Sequence, residues 1–492
     1  MPAATAVAAP TERKGGDRFA THRVLPAAVA LLLIYGIAEL VGYHINAVVL
    51  TIVVMIALCL AKVPVAIALI SAAMLGALHA GLSMEDALTG FNDNLLVGAQ
   101  VGLTYVMIGA FAVALARSGL LEMLARAVSR RVGSDPAATG RRVKWGLFAL
   151  FVVASLLSQN LVPVHIAFIP ILIPPLLGVL DRLRVDRRAV ACILACSISA
   201  SYLLIPTGFG AIFLNEILLA NINQVGARVG LSATADMAPK AMFLPVMGLF
   251  AGMLVAVFVT YRKPRDYGAP LEQPMTPENP DAATTRIAPL QLILTCVALA
   301  VALAFQIMFD SLLLGAMAGF LILSVSGIFR WQEQDDVFTT GLRMMAQIAV
   351  IITIASGFAG VLQATGEVEP LIQASAALIG DNQALGAFVM LFVGLFITIG
   401  FGDSFASVPI LAPIYVPLAV MLGFEPLAVM SLLGAAAALG DAGSPASTIS
   451  LGATAGLDAD GRHDHIRDTV IPTFLHCNIG MLLFAWAAAM IL

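Results

Sequence analysis

Apolar runs long enough to cross a lipid bilayer recur along almost the whole chain, and they constrain its fold more than any other feature. A helix needs about 20 apolar residues to cross a hydrocarbon core about 30 Å thick. The chain has 492 residues, of which 60% are hydrophobic and 11% charged, a balance that excludes an ordinary soluble domain. The sequence predicts an all-α, polytopic integral membrane protein with about 11 to 13 transmembrane helices, some of them broken or re-entrant.

Composition divides the chain into four parts. Residues 1–23 are polar and basic, which predicts a cytoplasmic N-terminal extension, and the apolar run that follows is too long for a signal peptide. A proline-rich polar stretch at 262–287 predicts a cytoplasmic linker. This linker separates a first transmembrane half (24–261) from a second (288–492).

The two halves show a weak internal repeat at an offset of 239 residues. At this offset Pro174 aligns with Pro413, and Pro206 aligns with Pro445. Apolar sequences match by accident, so the prolines in register are the informative part. They favour two structural repeats.

The charges of corresponding loops predict how these repeats are oriented. The first-half loop DRLRVDRR (181–188) is strongly basic, which predicts a cytoplasmic position. Its second-half equivalent, VMLGFEPL (420–427), has no Lys or Arg and carries Glu425. The loops are therefore expected on opposite sides of the membrane, which is the pattern of an inverted repeat.

Four polar, Gly- and Pro-containing segments interrupt the apolar runs at SQNLVP (158–163), IPTGFG (205–210), GFGDSFASVP (400–409) and GDAGSPAST (440–448). A broken helix within a bilayer is tolerated only where it is buried in protein or lines a cavity. Free carbonyl groups and helix termini at such breaks bind ions. The alternative, turns outside the membrane, stays open because the same residue types form ordinary loops.

Asp403 and Asp441 stand inside these breaks, and an intramembrane carboxylate indicates function because burying its charge is costly. Hydroxyl and amide side chains nearby could complete a cage of oxygen atoms. The predicted cation- or substrate-binding residues are Asp441, Ser444, Ser447, Asp403, Ser404, Asn160, Gln159 and Thr207. His165 is a candidate proton relay, with a hydrogen-bonded packing role as the alternative.

The segment LDADGRHDHIRDT (457–469) combines four aspartates with two histidines. It lacks the ligand spacing of a calcium-binding loop. We therefore expect a solvated loop rather than a metal site, with a pH-sensitive cap as a second hypothesis.

Other function classes find no support in the sequence. No HExxH motif or nucleophile–base pattern indicates an enzyme, and the apolar runs between the breaks do not form the continuous polar lining of a channel. No cofactor, resident metal or nucleic-acid partner is expected. The expected partners are a small ion or amino acid substrate and the lipid bilayer, and a homodimer stays open.

Two runs, SQNLVPVHIAFIPILIPPLL and GDAGSPAS, together with DRRAVAC, closely resemble the NhaC-like Na+/H+ antiporter family of the ion transporter superfamily, in its YuiF-like branch. The family pattern GDxxSPxSxT falls on Gly440, Asp441, Ser444, Pro445 and Ser447, whereas Thr448 lies one place early. The resemblance implies a multi-pass secondary transporter of the bacterial cytoplasmic (inner) membrane that binds ions at broken helices. It implies Na+/H+ antiport first, with Na+- or H+-coupled uptake of a histidine-like amino acid as the alternative.

Overall fold

The computed structural model describes residues 45–268 and 289–492, with gaps at 62, 120–122, 124–139, 161–168, 170–171 and 310. Three sequence predictions concern residues outside this part of the chain: the N-terminal extension, the first apolar run (24–43) and the proton relay at His165.

The described part of the chain consists of helices and their connections and contains no strand, which confirms the all-α prediction. The first-half helices are α1 (Ala47–Leu60), α2 (Val65–His79), α3 (Met84–Arg117), α4 (Gly140–Asn160), α5 (Pro174–Arg182), α6 (Arg187–Leu204), α7 (Phe209–Ala211), a π-helix (Ile212–Leu219), α8 (Ala220–Gly226) and α9 (Met237–Val255), which ends in a π-turn (Ala256–Thr260). The second-half helices are α10 (Pro289–Phe309), α11 (Leu312–Val325), α12 (Gln334–Ala364), α13 (Val368–Ile379), α14 (Gln383–Phe401), α15 (Ser404–Met421), α16 (Pro426–Ala438), α17 (Thr448–Leu457), α18 (Ile471–Thr473) between two π-helices (His465–Val470 and Phe474–Asn478), and α19 (Ile479–Ile491).

Nine of the described helical segments are long and apolar enough to cross a membrane, and six shorter apolar helices accompany them. Peripheral helices expose large apolar side chains: Ile307 and Met308 of α10 are 70% and 72% exposed. Such surface is costly in water, at about 25 cal/mol per Å², but not against lipid tails. The fold is therefore that of a multi-pass membrane protein.

Two long helices, α3 and α12, cross in antiparallel orientation at the centre of the molecule. Glycines let their backbones approach closely. A Cβ atom on Gly109 would lie 2.5 Å from the carbonyl oxygen of Gly341, and one on Gly98 would lie 2.7 Å from that of Ile352. Small residues at a helix interface permit this close backbone approach.

The predicted helix breaks meet each other inside the fold. Helix α6 ends before Pro206, and the chain is non-helical between the end of α16 and Ser447, which caps α17. Between α14 and α15, Gly402 adopts φ +64°, and a Cβ there would lie 2.6 Å from the backbone nitrogen of Ser447. The breaks at 400–409 and 440–448 are thus in direct contact, which places their polar residues together.

Arg187, at the start of α6, is fully buried and stands at the centre of an ionic cluster. Its guanidinium donates to Asp181 at 2.9 Å, to both carboxylate oxygens of Asp460 at 2.6 Å, and to the Leu457 carbonyl oxygen at 2.9 Å. It also lies 4.5 Å from the centre of the Tyr267 ring. This Arg187 cluster joins the first half, the beginning of the linker and the second half.

The expectation of a solvated loop at 457–469 holds for only part of the segment, because Asp464 and Arg467 are exposed whereas Asp468 and Thr469 are buried. His463 is 2% exposed, Asp460 pairs with Arg187, and Asp468 receives a hydrogen bond of 2.8 Å from Arg265. Burial lowers the pKa of His463 to about 4. In the buried part of the loop, cationic partners from the first half and the linker neutralise the carboxylates.

Candidate functional site

Asp441 lies in the break between α16 and α17 and is 5% exposed. Ser404 Oγ donates to its Oδ2 at 2.8 Å, and Ser447 Oγ donates to its Oδ1 at 3.4 Å. The Tyr202 hydroxyl, from the last turn of α6, also donates to Oδ2. Three hydroxyls from three different segments therefore converge on one buried carboxylate, which satisfies a charge that burial alone would make costly.

The serines reach Asp441 because each stands at the start of a helix. Ser404 is the first residue of α15, next to the capping residue Asp403. Ser447 caps α17, and its Oγ accepts a hydrogen bond of 3.1 Å from the backbone N–H of Ile449. Helix starts leave backbone N–H groups pointing into the break, so the local potential is positive. This favours a carboxylate at position 441.

Tyr202 is 1% exposed and is held by aromatic neighbours. Its ring centre lies 5.4 Å from that of Phe405 and 5.3 Å from that of Phe213. Its hydroxyl lies 2.9 Å from Ser404 Oγ. The rings fix the position of the hydroxyl at Asp441.

A small cavity, the aspartate cavity, lies beside this carboxylate and encloses about 30 Å³. It is lined by Tyr105, Gln159, Tyr202, Phe209, Met345, Ile348, Asp403, Phe405, Asp441, Thr448 and Ile449. Gln159 is 2% exposed, and its Oε1 atom has no hydrogen-bond partner. Two aspartates and a glutamine with an unpaired amide oxygen thus line the same cavity.

Asp403 contributes to this cavity while it caps α15. Its Oδ1 accepts a hydrogen bond of 2.9 Å from the backbone N–H of Ala406, and its carbonyl oxygen accepts one of 2.6 Å from Ser407 Oγ. One role of the residue is therefore structural. Its place in the cavity wall leaves it close to any ligand of Asp441.

Asn160 is adjacent to Gln159 at the end of α4, but it lines a different cavity. Its Nδ2 donates to the Leu156 carbonyl oxygen at 3.1 Å and to Ser201 Oγ. The second cavity also contains Gln306 of α10, whose Oε1 accepts a hydrogen bond of 3.0 Å from the backbone N–H of Gly208. The structure therefore does not bring Asn160 to Asp441.

Two other predicted residues, Ser444 and Thr207, stand apart from the aspartate cavity. Ser444 donates to the Ile399 carbonyl oxygen at 2.9 Å and accepts from the Ala446 N–H at 3.1 Å, so it ties the two second-half breaks together. Thr207 lies half-buried in the first-half break and is not part of the cavity wall. His165 lies outside the described residues.

The sequence analysis missed Tyr202 and Glu216. Tyr202 could have been found, because 202 plus the repeat offset of 239 is 441. Glu216 is a carboxylate in the apolar run of the π-helix that follows α7, so the criterion applied to Asp441 also selects it.

Oxygen atoms of carboxylate, amide and hydroxyl groups are the ligands that hard cations prefer. The cavity holds such groups in a space that fits an ion and one or two water molecules, since a water needs roughly 10 to 15 Å³. A carboxylate in this position can hold either a proton or a cation. This arrangement can exchange one for the other.

Two family models match the chain. One, described as the Na+/H+ antiporter family, matches residues 197–486, and a second, described as the Na+-H+ antiporter family, matches residues 46–132. The first match contains Tyr202, Asp403 and Asp441.

Among curated proteins, a membrane protein of Vibrio parahaemolyticus is 45% identical over 448 residues, which cover 91% of this chain and 100% of that protein. The putative amino acid transporter YuiF of Bacillus subtilis is 41% identical over 421 residues, covering 84% and 92% of the two chains.

Two solved structures share the fold at 16% identity. Neisseria gonorrhoeae MtrF, whose study describes a class of antimetabolite efflux pumps, superposes with a TM-score of 0.55 over 82% of this chain and 84% of its own. The Alcanivorax borkumensis YdaH transporter gives 0.52 over 82% and 86%.

Proposed function

Because this chain belongs to the Na+/H+ antiporter family, we propose that it exchanges Na+ for H+ at Asp441. Family membership makes the protein a cation-coupled secondary transporter of a bacterial membrane, and not an enzyme. The identity of the exchanged ions and of their ligands is the further step taken here.

The size and chemistry of the aspartate cavity carry the proposal. Asp403, Asp441 and Gln159, whose Oε1 atom has no hydrogen-bond partner, line a space of about 30 Å³. This space accommodates a dehydrated monovalent cation but not an amino acid. Two carboxylates in a low-dielectric interior need a proton or a cation between them, because their mutual repulsion is poorly screened there.

Exchange follows from competition for one carboxylate. Either H+ or Na+ neutralises Asp441, and the two cannot occupy the same oxygen at once. The hydroxyls of Tyr202, Ser404 and Ser447 can turn their hydrogens toward the charged carboxylate or their lone pairs toward Na+. The same side chains therefore serve both loaded forms without a large rearrangement.

Two inverted repeats fit this site. Tyr202 and Asp441 differ by 239 positions, the offset that aligns Pro174 with Pro413, and they touch each other. Equivalent residues of two repeats can make contact only near the axis that relates them. Helix α2 packs on α12, and α11 packs on α3. In the predicted repeat α2 corresponds to α11 and α3 corresponds to α12, so the two contacts are equivalent and also support the repeat.

The test uses purified protein in proteoliposomes that contain a pH-sensitive dye. An external Na+ pulse, with no organic solute, is expected to make the lumen alkaline as Na+ enters and H+ leaves. Asp441→Asn should abolish this signal because a carboxamide holds neither ion as a counter-charge. Asp381→Asn, a change at an exposed carboxylate, is the matched control. Wild-type exchange by Asp441→Asn would disprove the site.

The printed name of the Bacillus relative favours a second candidate, cation-coupled amino acid uptake. This activity requires the aspartate cavity to enlarge during transport, because its present volume does not fit an amino acid. Accumulation of labelled histidine driven by a Na+ or pH gradient, together with no alkalinisation by Na+ alone, would establish the second candidate and exclude the first.

A further inference from the structure

A third cavity, the amide cavity, lies between the aspartate cavity and the end of the molecule at which α3 begins. Its lining residues are Asn94, Val97, Asn221, Gln224, Val225, Ser356, Ala359, Gln363, Pro409 and Pro413. Four of them carry carboxamides, and the cavity volume is about 10 Å³. This is room for one water molecule or an ion of that size.

The same four helical segments line both the aspartate cavity and the amide cavity. On α3, Tyr105 faces the first and Asn94 the second, about 16 Å apart at 1.5 Å per residue. Helix α12 contributes Ile348 to the first and Ser356 to the second. The two cavities are therefore stacked along one bundle.

The segment that runs from α7 to α8 makes the same connection. Phe209 lines the aspartate cavity, and Asn221 and Gln224 line the amide cavity. Glu216 lies between them in sequence, on the π-helix. It is half-buried. π-Helical turns occur frequently at functional sites.

Helix α15 adds backbone oxygens to this side of the bundle. Pro409 and Pro413 lie inside the helix and line the amide cavity. Neither has an N–H group, so the carbonyl oxygens of Phe405 and Pro409 lose their usual helical donors. Free carbonyl oxygens are ligands for a hydrated cation.

The amide cavity and the Arg187 cluster lie toward opposite ends of the molecule. Arg117, at the last residue of α3, pairs with Asp336 at 3.6 Å, at the end that the basic loops predict to be cytoplasmic. The start of α4 lies near the Arg187 cluster, because an ideal Cβ atom on Gly140 would be 3.8 Å from Leu183, in the loop between Asp181 and Arg187. The amide cavity lies toward the first residues of α3, and Gln224 in its wall is exposed.

We infer that the amide cavity and Glu216 form the outer access route by which a hydrated monovalent cation reaches Asp441. The inference rests on the proposed function. Neutral carboxamides replace part of the hydration shell without holding the ion tightly, and Glu216 provides a transient counter-charge midway. A charged amino acid side chain would find neither the volume nor an opposite charge in the amide wall.

Thiol accessibility tests the route without depending on the transported ion. In right-side-out vesicles, Asn221→Cys and Gln224→Cys should react with a membrane-impermeant cationic thiol reagent at least tenfold faster than Leu218→Cys. Leu218 is fully buried on the same segment, so it is the matched control. The wild-type protein measures the background reaction of the native cysteines with the reagent. Equal reactivity at all three positions would overturn the route, whatever the transport assay shows.

The role of Glu216 is tested by exchange kinetics. Glu216→Gln should raise the external Na+ concentration for half-maximal exchange about fivefold, with a much smaller change in maximal rate, and Glu216→Asp should restore part of the loss. The control is Glu369→Gln at an exposed carboxylate. An unchanged half-maximal concentration in Glu216→Gln would remove Glu216 from the route. Absence of exchange in the wild type, with thiols still reactive, would instead refute the proposed function alone.

Discussion

Tyr202 donates a hydrogen bond to Asp441, and the two positions differ by 239, the offset of the repeat that the sequence predicts. One half thus supplies the carboxylate and the other supplies a hydroxyl for it. The two halves consequently build one shared site rather than two similar ones.

Replacement of Tyr202 by Phe should weaken Na+ binding while transport continues. A hydrogen bond to a charged group contributes about 1.5 to 3 kcal/mol, so the half-maximal Na+ concentration is expected to rise roughly tenfold. Tyr415→Phe is the matched control, because Tyr415 is buried and donates to the Met390 carbonyl oxygen at 2.5 Å, outside the wall of the aspartate cavity. If both variants showed the same change, the effect would be one of packing.

Two serines of the predicted binding set, Ser404 and Ser444, should respond differently to substitution by alanine. Ser404→Ala removes a donor to Asp441 and is expected to reduce Na+ affinity. Ser444→Ala removes a bond to the Ile399 carbonyl oxygen, so it should lower the melting temperature and leave Na+ affinity close to that of the wild type. Isothermal titration and thermal unfolding in detergent measure the two effects. The opposite assignment would make Ser444 the ligand.

The crossing of α3 and α12 should not tolerate a side chain at its centre. In Gly109→Ala the new methyl group would lie 2.5 Å from a carbonyl oxygen, so the helices must separate, at a cost of about 1 to 3 kcal/mol. Gly146→Ala is the control, because no atom lies within 4 Å of its added Cβ. A melting temperature equally high in both variants would show that the helices can separate without cost.

Acid should lower the stability of the folded protein through His463. The folded protein keeps this imidazole neutral down to about pH 4, whereas the unfolded chain protonates near pH 6.5. Stability is therefore full above pH 6.5 and falls as pH decreases from 6.5 toward 4. Thermal unfolding at pH 7.5 and pH 5 measures the loss, which should be smaller in His463→Gln. A loss of the same size in that variant would assign the effect to other groups.

The sequence predicts much of the second-half site because its signals are local. A Gly- and Pro-containing break with an aspartate inside an apolar run specifies both a helix end and a buried charge, and this holds for Asp403 and Asp441. Tyr202 was not predicted, because a tyrosine in an apolar helix carries no functional signal of its own until the repeat offset of 239 pairs it with Asp441.

Other features depend on distances that a sequence does not contain. Gln159 and Asn160 are neighbours, yet they line separate cavities because the last turn of α4 directs successive side chains to different faces. The loop at 457–469 has the composition of a solvated segment, but Arg187, which pairs with its Asp460, is 273 positions away in the sequence. A hydropathy average over a short stretch of sequence carries no information about a pairing between residues this far apart.

The Arg187 cluster has a consequence for how the polypeptide is joined. Residues at the start of the linker bind the second half directly: Arg265 donates to Asp468, and Arg462 donates to the Tyr267 carbonyl oxygen at 2.7 Å. The halves are thus fastened together by non-covalent bonds next to the place where the chain connects them. We therefore expect two separate polypeptides, divided beyond residue 268, to assemble through the same charges.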